Sequence, residues 1–128
     1  YILSPVLKTR YEIIIDSVEY QDHVMSLDEK PKKVLPGNDA VFVVVNFYLK
    51  NNSDKEMVGL SAHFELVDNK GFPHKAWDYD RKITKLVNPI QPNTKYKTYA
   101  IFQIGKDCKA DTFNTVDSFQ KVTTTKIK

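Results

Sequence analysis

The chain is poor in the residues from which most reactive and phosphate-binding sites are built. Its 128 residues include one cysteine, Cys108, and only four glycines, none adjacent to another. One cysteine excludes an intrachain disulfide framework and a cysteine-rich zinc site. Isolated glycines exclude a Gly-rich loop around a phosphate. We therefore expect no cofactor.

Arginine is also scarce. Only two of the 19 basic residues are arginine, Arg10 and Arg81, and the net charge is +3. Arginine is the usual reader of phosphates and guanine edges, because its planar fork makes paired hydrogen bonds. Lysines interspersed with 16 acidic residues are typical of a solvated surface. The composition predicts no nucleic-acid partner.

The sequence lacks long apolar runs. No stretch approaches the roughly 18 apolar residues of a membrane-spanning helix, so we expect any membrane anchor to lie outside this chain. The sequence begins at Tyr1 rather than at a methionine, which predicts an upstream signal peptide or lipid-anchor segment.

Signatures of nucleophilic catalysis are missing. The three histidines, His23, His63 and His74, are far apart, and there is no Gly-x-Ser-x-Gly elbow. A nucleophile needs a base within hydrogen-bond reach, and no local motif supplies such a pair. We predict that the protein is not an enzyme.

What the sequence does contain is a series of short apolar runs separated by Pro, Gly, Asn and Asp clusters, which is typical of an all-β protein. A length of 128 residues with 41% hydrophobic content fits one domain, residues 1–128, around one core. About seven runs at this spacing predict an antiparallel β-sandwich of two sheets.

The clearest strand covers residues 41–49, where both faces are largely apolar, as expected of a central strand. One face carries Val41, Val43, Val45, Phe47 and Leu49. A charge at Val43 or Val45 should unfold the domain, since burying each side chain is worth about 1.5–3 kcal/mol.

The first strand is predicted over residues 11–20. Strict alternation places Tyr11, Ile13 and Ile15 on one face and Ile14 and Val18 on the other. The following polar segment, residues 21–38, contains prolines and a glycine and is predicted to be a long loop that carries the chain between two sheets.

Further strands are expected at residues 60–66, 72–77 and 96–104 and within 118–127. Pro73 favours an edge position for the strand at 72–77. Gly71 is suited to a turn position with positive φ. Residues 51–54, "NNSD", are expected to form a corner of the fold, because Asn and Asp bond to nearby backbone.

Three segments carry a family resemblance. The order "VFVVVNFYLKNNSDKEM", "HFELVDNKGFPHK" and "IQPNTKYKTYAIFQI" resembles the immunoglobulin-like domain of unknown function that is common in lipoproteins and secreted proteins of Gram-positive bacteria. Asn51 and Asn52 match that family's first corner, residues 66–71 the second, and residues 92–102 the third. Asn93 stands where the family usually has glycine after proline, and asparagine tolerates the left-handed angles of such a corner.

The resemblance covers about residues 11–104 and carries over no catalytic residue. It implies an extracytoplasmic module, a cell-surface lipoprotein or secreted, that acts as an interaction or spacer domain. The implied partner is another envelope or extracellular protein, with the membrane reached only through an upstream lipid anchor.

Aromatic residues provide the strongest sign of ligand binding. Phe72, Trp77 and Tyr79 lie close together in sequence, and aromatic platforms bind sugars and protein surfaces. The alternative to the interaction module is therefore a small-ligand or carbohydrate-binding domain at these residues. Packing of Trp77 over the sandwich edge is the simpler interpretation.

Paired carboxylates offer a further hypothesis. Asp78 and Asp80 in "AWDYDRK" would share one face of an extended segment, as a calcium site or a metal-dependent hydrolase requires. The calcium-loop pattern Asp-x-Asp-x-Asp-Gly is absent, and Arg81 and Lys82 can neutralise the pair. A solvated loop is the competing interpretation.

Overall fold

The computed structural model describes residues 11–25, 33–57, 62–84, 89–117 and 122–127. The predicted strand residues 60–61 and 118–121 lie outside this part of the chain. Within it there are ten strands and one short 3-10 turn, Arg81–Thr84. The strands are β1 Tyr11–Gln21, β2 Val24–Met25, β3 Lys33–Val34, β4 Ala40–Asn51, β5 Ala62–Asp68, β6 Pro73–Lys75, β7 Asp78–Tyr79, β8 Lys95–Gly105, β9 Ala110–Asp117 and β10 Val122–Lys126.

Eight strands form two antiparallel sheets. The first sheet has the order β1-β4-β8-β7 and the second the order β10-β9-β5-β6, while β2 and β3 make a separate two-stranded ladder. With β6 set aside as an added edge strand, this is the strand order of the immunoglobulin-like sandwich. The predicted fold class is confirmed.

The core lies between the inward faces of the sheets. β4 is its centre, because it pairs with both β1 and β8 and buries one full face. The aromatic rings of Phe47, Phe64 and Phe113 pack against one another, with centroids 5.0–5.8 Å apart. The inward side chains predicted for residues 41–49 and 96–104 are nearly all buried: Val43, Val45, Phe47, Leu49, Thr98, Ala100, Phe102 and Ile104.

One extra residue in β1 changes the predicted facing of Val18. Ile15 pairs with Phe47 and Ser17 pairs with Asn46, so Asp16 is the additional residue of a β-bulge. The bulge shifts the alternation by one position. Val18 therefore packs against the core together with Ile15, and its predicted position on the opposite face is wrong.

The segment at residues 21–38 does not carry the chain between sheets. It joins β1 to β4, which are neighbours in one sheet, so that prediction is also wrong. The segment contains the short β2–β3 ladder, in which Val24 pairs with Val34. The chain changes sheet after β4, after β6 and after β8, because β4, β7 and β8 belong to the first sheet and β5, β6 and β9 to the second. The predicted strand at 72–77 contains β6, which pairs with β5 at the edge of the second sheet, and β7 follows it in the first sheet, paired with β8.

Candidate functional site

The corner after β4 is built around the side chain of Asn51, which is fully buried. Its amide nitrogen Nδ2 donates to the carbonyl oxygens of Lys55 and Ile90, at 2.7 and 2.9 Å. Its oxygen Oδ1 accepts from the backbone N–H of Ser53 at 2.9 Å and from the Ser53 hydroxyl at 2.6 Å. Both donors and both acceptor positions are used, so this asparagine has no capacity left for a ligand.

The same corner is joined to the turn before β8. The backbone N–H of Asn51 donates to Thr94, and the N–H of Asn93 donates to the carbonyl of Asn51. Asn93 has φ of 63°, which confirms the left-handed conformation expected at this position. The two turns form one structural unit, and the prediction that residues 51–54 are a corner agrees with this network.

The turn after β5 is closed by a buried acid. Asp68 is 3% exposed, and its Oδ1 accepts from the backbone N–H groups of Lys70 and Phe72. Its Oδ2 lies 2.8 Å from Nε2 of His74. Gly71 has φ of 87°, which confirms the positive angle predicted for the turn.

These contacts favour the ionised form of Asp68. The hydrogen bond from His74 is the largest cause, and the backbone N–H groups of Phe72 and Lys70 add to it, against the effect of desolvation. Together they lower the pKa of Asp68 from 3.8 to about 2. The carboxylate is thus the anionic centre of a structural turn, stabilised by donors that converge on it.

The predicted acid pair, Asp78 and Asp80, does not share one face. β7 ends at Tyr79, and the chain turns at Asp80, whose Oδ2 accepts from the hydroxyls of Tyr96 and Thr98 at 3.0 and 3.2 Å. Thr98 is buried in the core-facing side of β8, so Asp80 is directed inward. That part of the prediction is wrong because the strand stops one residue early.

Asp80 also opens the 3-10 turn. Its Oδ1 accepts from the backbone N–H of Lys82, as an acidic cap does. Burial, and then the hydrogen bond to Asp80, raise the pKa of Tyr96 to about 12. Asp78 Oδ1 accepts from the backbone N–H of Tyr79. Among the described residues, no three His, Cys, Asp or Glu side chains are grouped so as to hold a metal ion.

The three predicted ligand-binding aromatics lie in different settings. Tyr79 packs against the core, with its ring 5.6 Å from that of Phe64. Trp77 is 45% exposed, and its ring lies 4.9 Å from that of Phe42. Phe72 is 63% exposed and follows the β5–β6 turn. Only Trp77 and Phe72 present much of their rings to solvent.

Phe42 explains why Trp77 is held in place. It alternates with the core-facing Val41 and Val43, so it lies on the outer face of β4, yet it is only 1% exposed. The backbone N–H of Trp77 donates to the carbonyl of Ile101 at 2.7 Å, which holds the Trp77 backbone beside β8, and the indole packs against Phe42. Trp77 therefore covers an apolar residue with one part of its ring and leaves the rest exposed.

Several turns are joined at the end of the sandwich where β4 begins and β5 and β8 end. The N–H of Lys106 donates to the carbonyl of Asp39, and the N–H of Asn69 donates to that of Lys109. The side chain of Asn69 accepts from the N–H of Lys109 in return. These bonds hold three turns side by side, and we call residues 37–39, 69–72 and 106–109 the joined-turn end.

Large apolar side chains are exposed at or near the joined-turn end. Phe72 lies within it, Leu35 precedes it by two residues and is 66% exposed, and Tyr20 is 47% exposed. The Tyr20 hydroxyl accepts from the N–H of Ala110, at the start of β9. Trp77 lies in the half of the first sheet that is nearer to the joined-turn end, since it packs against Phe42 near the start of β4.

Sequence reasoning did not find the pairing of Asp68 with His74. It predicted a turn at Gly71 and found the three histidines far apart in sequence. The available signal was the spacing in "DNKGFPH", in which a tight turn returns the histidine to the acid that opens it.

Cys108 is partly buried, and its Sγ would lie 3.5 Å from a Cβ added at Gly105.

The described residues contain no helix long and apolar enough to cross a membrane.

No family model and no curated protein matches the sequence. The fold does match solved structures. An uncharacterized β-sandwich protein from Clostridium difficile superposes with a TM-score of 0.53 at 16% identity, over 99% of this chain and 89% of that one. A conserved hypothetical protein from Bacillus anthracis gives a TM-score of 0.56 at 15% identity, over 95% and 89%. At such identities the likeness establishes a shared β-sandwich fold.

Proposed function

We propose that this chain is a non-catalytic, immunoglobulin-like module of a bacterial envelope or secreted protein, and that it binds another protein. The observation that carries the proposal is the group of exposed Tyr, Leu, Phe and Trp side chains at or near the joined-turn end. Aromatic residues are enriched in the buried centres of protein interfaces and dominate their binding energy.

Rigid presentation supports this choice. The turns that carry Phe72 are bonded to their neighbours through backbone groups, and Asp68 holds the turn from inside. A side chain held in this way loses little conformational freedom on binding, so less of the interaction energy is offset. Asp68 and Asp80 both accept hydrogen bonds from groups of their own turns, which supports a structural role for the two carboxylates.

The bacterial envelope setting is supported by two separate likenesses. The corner motifs resemble those of an immunoglobulin-like domain of Gram-positive lipoproteins and secreted proteins, and the solved structures of similar fold come from Gram-positive species. The location is tested on the full precursor. An extracytoplasmic role requires a signal peptide or a lipobox cysteine upstream, and a precursor with neither contradicts it.

The binding proposal is tested by affinity capture from envelope extract, followed by measurement of the purified pair. Phe72→Ser should weaken binding to the captured protein by at least about tenfold, as expected for a central aromatic of an interface. Asp54→Asn is the matched control, because Asp54 is exposed in the corner at the opposite end. Equal loss in both variants, or loss in neither, would argue against the joined-turn end as the interface.

A second candidate function is carbohydrate or small-ligand binding at Trp77. The specific observation in its favour is an indole that is fixed against Phe42 at 4.9 Å while 45% exposed. A fixed aromatic face is what stacking on a sugar ring requires. Tyr79 is not available for this role in the same way, because its ring packs against Phe64.

A glycan array followed by calorimetry tests this candidate. Binding to the wild type that is lost in Trp77→Ala and retained in Phe72→Ser would favour a sugar site over a protein interface. No binding by the wild-type protein removes support for it. The stability of each variant is measured in parallel, since Trp77 also covers Phe42.

A further inference from the structure

The four edge strands of the sandwich differ in how they are protected from pairing with another strand. β6 has three residues and begins with Pro73, and β7 has two residues. β1 is long but contains the bulge at Asp16. Short length, proline and bulges are all devices that prevent edge-to-edge association.

The fourth edge strand, β10, has none of these devices. Its five residues, "VTTTK", include no proline and pair with β9 in continuous register from Val122 to Lys126. Consecutive β-branched residues favour an extended backbone. Among the described residues, no strand pairs with the other side of β10.

The register identifies which backbone groups of β10 face that open side. The N–H of Ile127 donates to the carbonyl of Asp111 at 2.8 Å. In an antiparallel ladder, hydrogen-bonded pairs alternate with pairs whose N–H and C=O groups point away. Residues 123 and 125 therefore bond to β9, and Val122, Thr124 and Lys126 direct their N–H and C=O groups outward.

We propose that β10 pairs antiparallel with β10 of a second copy of this chain, around a twofold axis at Thr124. In this register Thr124 is opposite Thr124 of the second copy, and residue 122 is opposite residue 126. All three outward-facing residues then meet outward-facing residues, so every free donor finds an acceptor. The second sheets of the two copies join into one eight-stranded sheet.

Side chains agree with this register. Thr124 and Lys126 are exposed, and threonine pairs directly across antiparallel strands are favourable. Lys126 would be the only charge on the joined strands, and its Nζ lies 2.6 Å from Asp111 Oδ1. That ion pair lowers the pKa of Asp111 and compensates the lysine charge, so the two copies do not repel through it.

A second copy is favoured over an unrelated strand because the outward N–H and C=O groups of one β10 match those of another β10 in antiparallel orientation. Only five residues per chain take part, so we expect an interface below about 1,200 Å² and weak, concentration-dependent association. This inference does not depend on the proposed function, because it concerns a different edge of the molecule from the joined-turn end.

Sedimentation equilibrium tests the proposal between about 10 μM and 1 mM, the range in which weak dimers form. Thr124→Pro removes only an outward N–H and is compatible with an edge strand, so it should abolish the dimer and keep the fold. Thr124→Val keeps the backbone donor and should leave the dimer intact. Thr124→Lys places two ammonium groups opposite each other, and it should weaken the dimer at low salt and restore it at high salt.

Amide hydrogen exchange gives an independent readout. If the proposal holds, the amides of Thr124 and Lys126 become protected as the wild-type concentration rises, while that of Thr125 is protected throughout. A protein that remains monomeric over the whole range overturns the proposal. So does a dimer that Thr124→Pro leaves unchanged, or equal protection of Thr124 at every concentration, which would mean that the edge is covered within the chain.

Discussion

The indole of Trp77 packs against the ring of Phe42, with the two centroids 4.9 Å apart and the planes tilted by 49°. This contact lies on the face of β4 opposite the core. Trp77→Ala would expose Phe42 and remove the ring contact, so we expect a loss of about 1–3 kcal/mol in the free energy of unfolding. Urea denaturation measures it. Trp77→Phe should recover most of the loss, and an unchanged midpoint in Trp77→Ala would show that the contact contributes nothing.

Asn51 provides a second prediction. Asn51→Ala would leave the carbonyl groups of Lys55 and Ile90 without their amide donor inside a buried corner, and we expect a cost of roughly 2–4 kcal/mol. Asn52→Ala is the matched control. Asn52 is exposed, and its side-chain amide donates to the exposed carboxylate of Glu12. Removing this side chain should therefore cost less than about 0.5 kcal/mol. Similar midpoints for the two variants would contradict this account.

Asn93 tests the left-handed turn before β8. Its φ of 63° is tolerated by asparagine and free of strain for glycine. Asn93→Ala should lower the free energy of unfolding by about 1 kcal/mol, because alanine keeps the β-carbon that disfavours this conformation and lacks the side-chain amide that lets asparagine tolerate it. Asn93→Gly should be neutral or slightly stabilising. Thermal unfolding of the three proteins gives the order, and an alanine variant as stable as the glycine variant would be inconsistent with the turn.

The turn at Asp68 predicts a dependence of stability on acid pH. The pKa of Asp68 is lowered to about 2 in the folded protein, below the ordinary 3.8. The ionised group therefore contributes stability that is fully present above about pH 4 and is lost as the pH falls toward 2. Asp68→Asn lacks this titration, so its denaturation midpoint should fall less between pH 4 and pH 2 than that of the wild type.

The contribution of His74 to the lowered pKa of Asp68 can be measured separately. Its hydrogen bond is the largest cause of the lowered pKa of Asp68, so His74→Ala should move the titration of the Asp68 carboxyl carbon to higher pH in NMR spectra. His63→Ala is the matched control, since His63 is exposed on the same sheet. A carboxyl titration that is equal in all three proteins would assign the lowered pKa to the backbone donors alone.

The sequence predicted β4 and β8 well, because each contains an uninterrupted series of alternate positions occupied mainly by apolar residues. Val43, Val45 and Phe47 face the core as expected, and so do Ala100 and Phe102. The facing of Val18 was not predictable in the same way. A bulge adds one residue without changing the composition, so the alternation of "YEIIIDSVEY" gives no sign of it.

Strand β9 was missed for a different reason. Its segment "ADTFNTVD" has one large core residue, Phe113, and its next inward residue is Thr115, which is fully buried although polar. Pattern reasoning depends on apolar residues at alternate positions, and a buried threonine breaks the pattern. Tertiary packing of β9 between β5 and β10 stabilises a strand that its own composition does not favour.

The candidate site was predicted only in part. The corner at residues 51–54 was recognisable from turn chemistry. The inward direction of Tyr79 was not, because it depends on the chain crossing from β6 in one sheet to β7 in the other within three residues. A crossing leaves no composition signal, so aromatic residues that are neighbours in sequence were expected to be neighbours on the surface.

The burial of Asn51 also matters for how the protein can be produced. Asn51-Asn52-Ser53 is a formal acceptor sequence for N-linked glycosylation. In the folded protein the Asn51 amide is fully buried and already bonded to two carbonyl oxygens, so a glycan cannot be added there. In a eukaryotic secretory host the nascent chain would be modified before the corner forms, and a sugar on this nitrogen would block folding. Expression in a bacterial host avoids the modification, and so does the change Ser53→Ala, which removes the hydroxyl contacts to Asn51 and Lys55.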